Sequence, residues 1–298
     1  MLKIWIQAAR LRTLPLSVSG IITGTALAIK EGLFDGVIFT LAILTTLGFQ
    51  VLSNFANDYG DGLKGTDNED RIGPKRVLQS GLLTAQQLKR GMIITVILTL
   101  VAALLLIFRA FGSQNYAYFL LFLVLGIVSI IAAIKYTVGQ SAYGYRALGD
   151  VFVFVFFGLL AVVGSYFLYS HQLHGWVWFP AISIGLLSTA VLNLNNMRDL
   201  QSDQKAHKIT LPILLGIRRA KMYHYTLLLL AYASAFVYFY FTATKFYHYL
   251  PLLAFLPILQ HTKTVMHTQQ PQHLDPELKK VAISTFLFAV LFFITLLF

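Results

Sequence analysis

Apolar residues along this chain gather into nine long runs, at roughly 13–30, 35–56, 92–111, 117–135, 149–169, 176–195, 223–242, 247–261 and 281–298. Most reach or approach the ~20 residues an α-helix needs to cross about 30 Å of hydrocarbon. The eighth is short and interrupted by Pro251 and Pro257. Glycine and proline inside such runs are tolerated where neighbouring helices cover the backbone. The pattern predicts an all-α polytopic membrane protein, with nine transmembrane helices in one bundle and a single domain over residues 1–298. Ahead of the first run, MLKIWIQAARLR is too short for a signal h-region and lacks a cleavage site after it. It predicts a short interfacial helix, with Trp5 at headgroup level and Arg10 and Arg12 facing phosphates.

Composition agrees with that pattern. Hydrophobic residues make up 57% of the chain and charged ones 12%, against about 25% charged in a soluble domain. The mean hydropathy is +0.70. The absence of cysteine excludes disulfides, thiolate metal sites and cysteine nucleophiles. The net charge of +11 is topological and implies no nucleic-acid partner. With the N-terminus and every second loop assigned to one side, that side carries twenty Lys and Arg residues; the other carries only Lys30, Arg109 and Lys245. The positive-inside rule then places the N-terminus in the cytoplasm and the C-terminus outside.

The two longest hydrophilic connections, 57–91 and 196–222, fall on the same cytoplasmic side, after the second and sixth runs. This gives the chain two halves of four-helix periodicity, each with a polar motif at the same place, at 54–67 and 193–203. The first motif reads NFANDYGDGLKGTD and the second NLNNMRDLQSD. Asp58, Asp61, Asp67, Glu69, Asp70, Asp199 and Asp203, seven of the twelve acidic residues, lie in or just after them. Carboxylates at a membrane boundary are costly unless paired, so they mark a site. Asn57 and Asp61 stand four residues apart on one helical face, and Asn195, Asp199 and Asp203 repeat that spacing over two turns. Such ladders of hard oxygen suit Mg²⁺ held together with substrate phosphates. Lys64, Arg71, Lys75 and Arg76 follow the first ladder, and Arg198, Lys205 and Lys208 accompany the second. Carboxylates for the metal and cations for phosphate oxygens are what a metal-bound diphosphate requires.

On these motifs the sequence resembles the UbiA superfamily of intramembrane aromatic prenyltransferases. The resemblance rests on the NDxxD form of Asn57, Asp58 and Asp61, on the related second motif at Asn195, Asp199 and Asp203, and on nine spans covering essentially the whole chain. Asn196 stands where many members carry Asp. The stretches ARLRTLP at 9–15, NDYGDGLKGTD at 57–67, YRALGDVFVFVFFG at 145–158 and VLNLNNMRD at 191–199 point within the superfamily to enzymes that prenylate 1,4-dihydroxy-2-naphthoate for menaquinone synthesis. The resemblance implies a multi-pass enzyme of the bacterial inner membrane, with its active site facing the cytoplasm. Its substrates would be a polyprenyl diphosphate and an aromatic acceptor, its cofactor Mg²⁺.

Asn57, Asp58, Asp61, Asn195, Asp199 and Asp203 are the candidate metal ligands. Lys64, Arg71, Arg76, Lys135, Arg198, Lys205 and Lys208 are the candidate diphosphate cations. Asp67 is a candidate ligand or acceptor-activating base. Arg146 and Asp150, at the start of the fifth run, are candidates for the acceptor's carboxylate and hydroxyl. Phe152, Phe156 and Tyr136 are candidates for lining the prenyl tunnel. The histidines, His224 and His261 among them, form no sequence-adjacent pair with a carboxylate and are expected at the interfaces. Other readings stand beside this one. A 4-hydroxybenzoate-type acceptor would use the same motifs. A transporter would place its ionisable groups near mid-membrane. A CDP-alcohol phosphotransferase needs Asp-Gly-x-x-Ala-Arg, which Asp61-Gly62-Leu63-Lys64-Gly65-Thr66 does not supply.

Overall fold

The computed structural model describes residues 1–67 and 71–298; Glu69 and Asp70, counted above with the first motif, lie outside the described residues. Among the described residues the structure is helical, with one isolated bridge between Arg146 and Ile209. The helices are α1 (Leu2–Ala9), α2 (Leu14–Lys30), α3 (Gly36–Leu63), α4 (Ala85–Phe111), α5 (Tyr116–Lys135), α6 (Gly149–Val153), α7 (Ser165–Ser170), α8 (Trp178–Arg198), α9 (Leu200–Lys205), α10 (Leu211–Leu215), α11 (Ile217–Thr242), α12 (Leu256–His267) and α13 (Asp275–Leu297). The stretch Phe154–Gly164 joins α6 to α7 as a wider, π-type helix. Among the described residues, eight helical segments are long and apolar enough to cross a membrane. The protein is therefore a polytopic membrane protein.

The expected eighth span, 247–261, takes a different form. Phe246–Phe255 is a 3₁₀ helix with Pro251 inside it, and α12 follows with Pro257 in its first turn. Proline lacks a backbone donor and is accommodated where a helix begins, so two prolines six residues apart divide the run. Neither piece alone is long enough to cross the hydrocarbon.

Backbone contacts divide the chain into two compact units, interleaved in sequence: Met1–Leu14, Val37–Gly149 and Asp199–Thr210 form one, and Pro15–Gly36, Asp150–Arg198 and Leu211–Phe298 the other. In the first unit, Leu52, Phe55 and Ala56 of α3 pack with Ala8, Val77, Leu83, Leu88, Met92 and Ile130. Trp5 meets Phe55 edge-on at 5.4 Å between ring centroids. Its ring also covers Gly91, where a Cβ would come within 2.5 Å of it. Thr84 opens α4 with a reciprocal capping box to Gln87, which satisfies two of the helix's unpaired N-terminal donors. The Thr137 hydroxyl donates to the Ala56 carbonyl at 2.9 Å. Gly60 permits that approach, because a Cβ there would stand 2.8 Å from the Thr137 carbonyl.

In the second unit α8 packs against α11, α13 and the π-type segment. Close backbone approach is built from small residues: a Cβ on Gly158 would lie 2.5 Å from the Gly185 Cα, and one on Gly24 would lie 2.3 Å from the Val162 carbonyl. Small residues at such crossings let membrane helices gain van der Waals contact that lipid would otherwise provide. Two of the histidines expected at the interfaces lie in the protein interior. His224 of α11 and His261 of α12 are fully buried, their Nε2 atoms 2.8 Å apart. His261 Nδ1 lies 2.6 Å from Glu277 of α13, whose other oxygen accepts from Lys280 at 2.6 Å. Three separate helices supply this chain, so no spacing in the sequence announces it.

The crossing at Gly158 yields a direct expectation. Gly158→Val should lower the melting temperature of the detergent-solubilised protein, by an overpacking cost of about 1–3 kcal/mol. Gly126→Val, at a glycine with open space around it, should leave the temperature unchanged or raise it. Equal melting temperatures for both variants would contradict the packing described.

Candidate functional site

α3 continues unbroken through Leu63, so Asn57 and Asp61 do share a face one turn apart. Asp58 and Asp61 are each only 1% exposed. Buried carboxylates persist only with cations and donors around them, and the chain supplies both. Arg76, from the connection between α3 and α4, donates from Nη1 to Asp61 Oδ2 at 2.6 Å and to the Asn57 carbonyl at 2.7 Å. Its Nε lies 3.0 Å from Asp67 and 3.7 Å from Asp58. Burial works against the Arg76 charge, but Asp61, Asp67 and Asp58 overcome it and hold the guanidinium more firmly protonated than a free arginine. Asp58 itself turns to Arg10 and to the Val77 amide at 3.4 Å. Arg10, expected to face lipid phosphates, thus pairs with a buried acid, because the left-handed turn that ends α1 at Arg10 redirects the chain there.

The second motif does not form one continuous ladder. α8 ends at Arg198, Asp199 leaves helical geometry, and α9 restarts at Leu200. Asn195 stays in the second unit, where its Oδ1 accepts from Arg198 Nη2 at 2.8 Å. The other arm of Arg198, a side chain only 2% exposed, pairs with Asp275. Asn196 is buried on the same helix. Asp199 and Asp203 belong to the first unit, together with the first motif.

Within that unit the two acidic clusters meet. Arg71 reaches Asp67 at 3.4 Å and Asp199 at 4.0 Å, and Lys208 lies 3.4 Å from Asp203. Burial pushes the Asp67 carboxyl up to about 6, against the pull of Arg76. Burial likewise raises Asp203; Lys208 opposes that shift, while Asp199 and Asp61 add to it. Among the described residues, both oxygens of Asp67 and Oδ2 of Asp203 are buried without a hydrogen-bond donor. Among the described residues, no three carboxylates or imidazoles converge closely enough to hold a metal as they stand.

Tyr145 is a site residue that the motifs did not single out. Its hydroxyl donates to Asp61 Oδ1 at 2.7 Å and lies 2.6 Å from the Thr66 hydroxyl. Lys64 Nζ sits 3.9 Å above its ring and Lys208 Nζ 5.8 Å away, a cation–π arrangement. Burial and the Asp61 charge keep the phenol protonated. The bridge from Arg146 to Ile209, with the Ala147 amide donating to the Ile209 carbonyl at 2.9 Å, fixes the Tyr145 loop to the segment that carries Lys208. The only sequence signal was position: Tyr145 opens the YRALGD stretch.

The remaining candidates are spread out. Arg146, Lys135 and Lys205 are exposed. Asp150 lies in the second unit at 5% exposure, hydrogen-bonded to Tyr223, with Oδ1 lacking a partner. Phe152 and Phe156 stack at 6.1 Å there. The Asp58–Asp61–Asp67–Asp199–Asp203 patch, laced with Arg10, Arg71, Arg76, Lys64 and Lys208, can neutralise a cation and a polyanion together.

Comparison with known proteins adds to this geometry. The profile of the UbiA prenyltransferase family matches residues 17–278. A protein of Haemophilus influenzae described as 1,4-dihydroxy-2-naphthoate octaprenyltransferase is 44% identical, over 99% of this chain and 96% of its own length. The apo structure of a UbiA homologue from Aeropyrum pernix superposes with a TM-score of 0.73 at 15% identity, covering 96% of this chain and 98% of that one. A UbiA homologue from Archaeoglobus fulgidus, solved with DMAPP and Mg²⁺, gives 0.65 at 15% identity over 96% and 98%.

The hydrogen bond from Tyr145 gives a test independent of any ligand. Tyr145→Phe should destabilise the solubilised protein by about 1–3 kcal/mol, the cost of a buried acceptor left unsatisfied, read as a lower melting temperature. An unchanged melting temperature would contradict the bond to Asp61.

Proposed function

This chain belongs to the UbiA prenyltransferase family. From that premise we propose that it transfers a polyprenyl group from polyprenyl diphosphate to 1,4-dihydroxy-2-naphthoate, releasing diphosphate and CO₂ and giving the hydroquinone (reduced) form of demethylmenaquinone. The observation that carries this reading is the buried meeting of both acidic motifs with Arg71, Arg76 and Lys208, in a chain 44% identical to a dihydroxynaphthoate octaprenyltransferase.

The donor set suits Mg²⁺: hard carboxylate oxygens, of which both from Asp67 and one from Asp203 lack any hydrogen-bond donor. Asn57, Asp61, Asp199 and Asp203 would hold the metal, with Asp67 beside them. Asp58, tied to Arg10, orients the end of α3, and Asn195 with Arg198 orients the end of α8. Bound there, Mg²⁺ supplies positive charge against the negative charge that grows on the leaving diphosphate. Arg71, Arg76, Lys64 and Lys208 bind the remaining phosphate oxygens, with Lys135 and Lys205 at the exposed periphery.

The allylic C–O bond breaks with its electron pair going to diphosphate. The ring carbon that bears the carboxylate attacks the allylic carbon, and loss of CO₂ returns the electron pair to the ring. No protein nucleophile takes part. Arg146 binds the acceptor carboxylate. The whole chain works as one domain of nine spans, the eighth made of the 3₁₀ segment Phe246–Phe255 and α12 end to end, with N-terminus and site on the cytoplasmic side of the inner membrane, as its charge asymmetry supports.

One assay tests the acceptor: dihydroxynaphthoate and 4-hydroxybenzoate offered together with one prenyl diphosphate. Prenylated naphthohydroquinone with stoichiometric CO₂ is expected; prenylated 4-hydroxybenzoate as main product would overturn the assignment. Separately, Asp61→Ala and Asp199→Ala should each lower kcat by at least about a hundredfold while the protein still inserts, and near-normal turnover in either contradicts the site.

A further inference from the structure

The candidate metal carboxylates are already partnered, and the partners are arginines. The Arg76 side chain is 9% exposed and touches Asp58, Asp61 and Asp67. Arg71 touches Asp67 and Asp199. These contacts satisfy charge better than they satisfy coordination. Nε of Arg76 lies 3.0 Å from Asp67, yet among the described residues neither that nitrogen nor either Asp67 oxygen makes a hydrogen bond. Oδ2 of Asp203 is likewise unclaimed. The carboxylates surround guanidinium groups, and no three of them converge on a point among the described residues.

Charge decides what a metal ion would meet here. Asp58, Asp61, Asp67, Asp199 and Asp203 face Arg10, Arg71, Arg76, Lys208 and Lys64, five negative charges against five positive. Divalent ions entering alone turn the patch positive in a poorly hydrated place, which is unfavourable. Two divalent ions entering with a trianionic prenyl diphosphate leave only one net positive charge. Guanidinium groups displaced from carboxylates are suited in turn to paired phosphate oxygens.

Resting on the prenyltransferase reading above, we propose that Arg76 and Arg71 are resident counter-ions that occupy the metal site until metal and diphosphate arrive together. The metal takes Asp61, Asp67 and Asp199, and the released arginines take the diphosphate. Two consequences follow. Metal alone binds weakly, and metal and diphosphate strengthen each other's binding reciprocally. Removing a resident arginine strengthens metal binding on its own while removing part of that mutual gain.

Equilibrium dialysis of the full, detergent-purified chain against Mn²⁺, with and without inorganic diphosphate, reads this without turnover. Wild type should bind Mn²⁺ at least about tenfold more tightly with diphosphate present. Arg76→Gln should bind Mn²⁺ alone about tenfold more tightly than wild type, with its melting temperature raised by Mn²⁺ alone, and should show a smaller gain from diphosphate. Arg71→Gln should move the same way and decides the matter if Arg76→Gln does not fold. Variants that bind Mn²⁺ alone no more tightly than wild type overturn the resident-cation proposal. Wild type that binds no Mn²⁺ even with diphosphate, and is indistinguishable from Asp61→Asn, overturns the underlying metal-diphosphate reading instead.

Discussion

A buried carboxylate must be neutralised, and this protein buries five in one patch. An unpaired charge in a low-dielectric setting costs several kcal/mol, so Asp58, Asp61, Asp67, Asp199 and Asp203 constrain everything near them. The constraint explains why Arg10 ends α1 in a left-handed turn and pairs with Asp58. It explains why the connection after α3 folds back to bring Arg76 and Arg71 to the acids. It explains why the 199–210 segment, with Lys208, groups with the first acidic motif and leaves the helix that precedes it.

The helices serve that patch by holding its ends still. Gly60 lets the turn at Thr137 lie on α3 one residue before Asp61. The neighbouring loop then delivers Tyr145, and the backbone bridge to Ile209 ties that loop to the Lys208 segment. Tyr145 is a neutral donor aimed at Asp61. A phenol that stays protonated at that place adds a hydrogen bond without adding to the charge. In the second unit, Arg198 fastens α8 to Asp275 and orients Asn195, so the start of the second motif is set by a separate clamp.

Hydropathy made most of the fold legible, since a spanning helix is written as a continuous apolar run and needs no long-range information. At 246–267 the run is helical too, but two prolines divide it into a 3₁₀ helix and a short α-helix. Local spacing also made the acids legible: Asn57 and Asp61 stack because α3 is unbroken. The same spacing misled at Asn195, Asp199 and Asp203, because α8 stops at Arg198. Tyr145, Arg10 and the His224–His261–Glu277 chain were beyond the sequence for one reason. Their partners lie 84, 48, 37 and 16 residues away, on other elements, and such contacts leave no periodic trace. The role of Arg198 was hidden the same way, by its pairing with Asp275, 77 residues on.

The most direct measurement is anomalous scattering from a crystal of the protein grown with Mn²⁺ and an unreactive prenyl diphosphate analogue. Peaks beside Asp61 and beside Asp199 or Asp203, with the diphosphate between them and Arg71 or Arg76, are the predicted result. Bound analogue with its metal elsewhere, or with Asp61 and Asp199 still paired to arginine and no metal beside them, would contradict the assignment of this buried patch as the reaction centre.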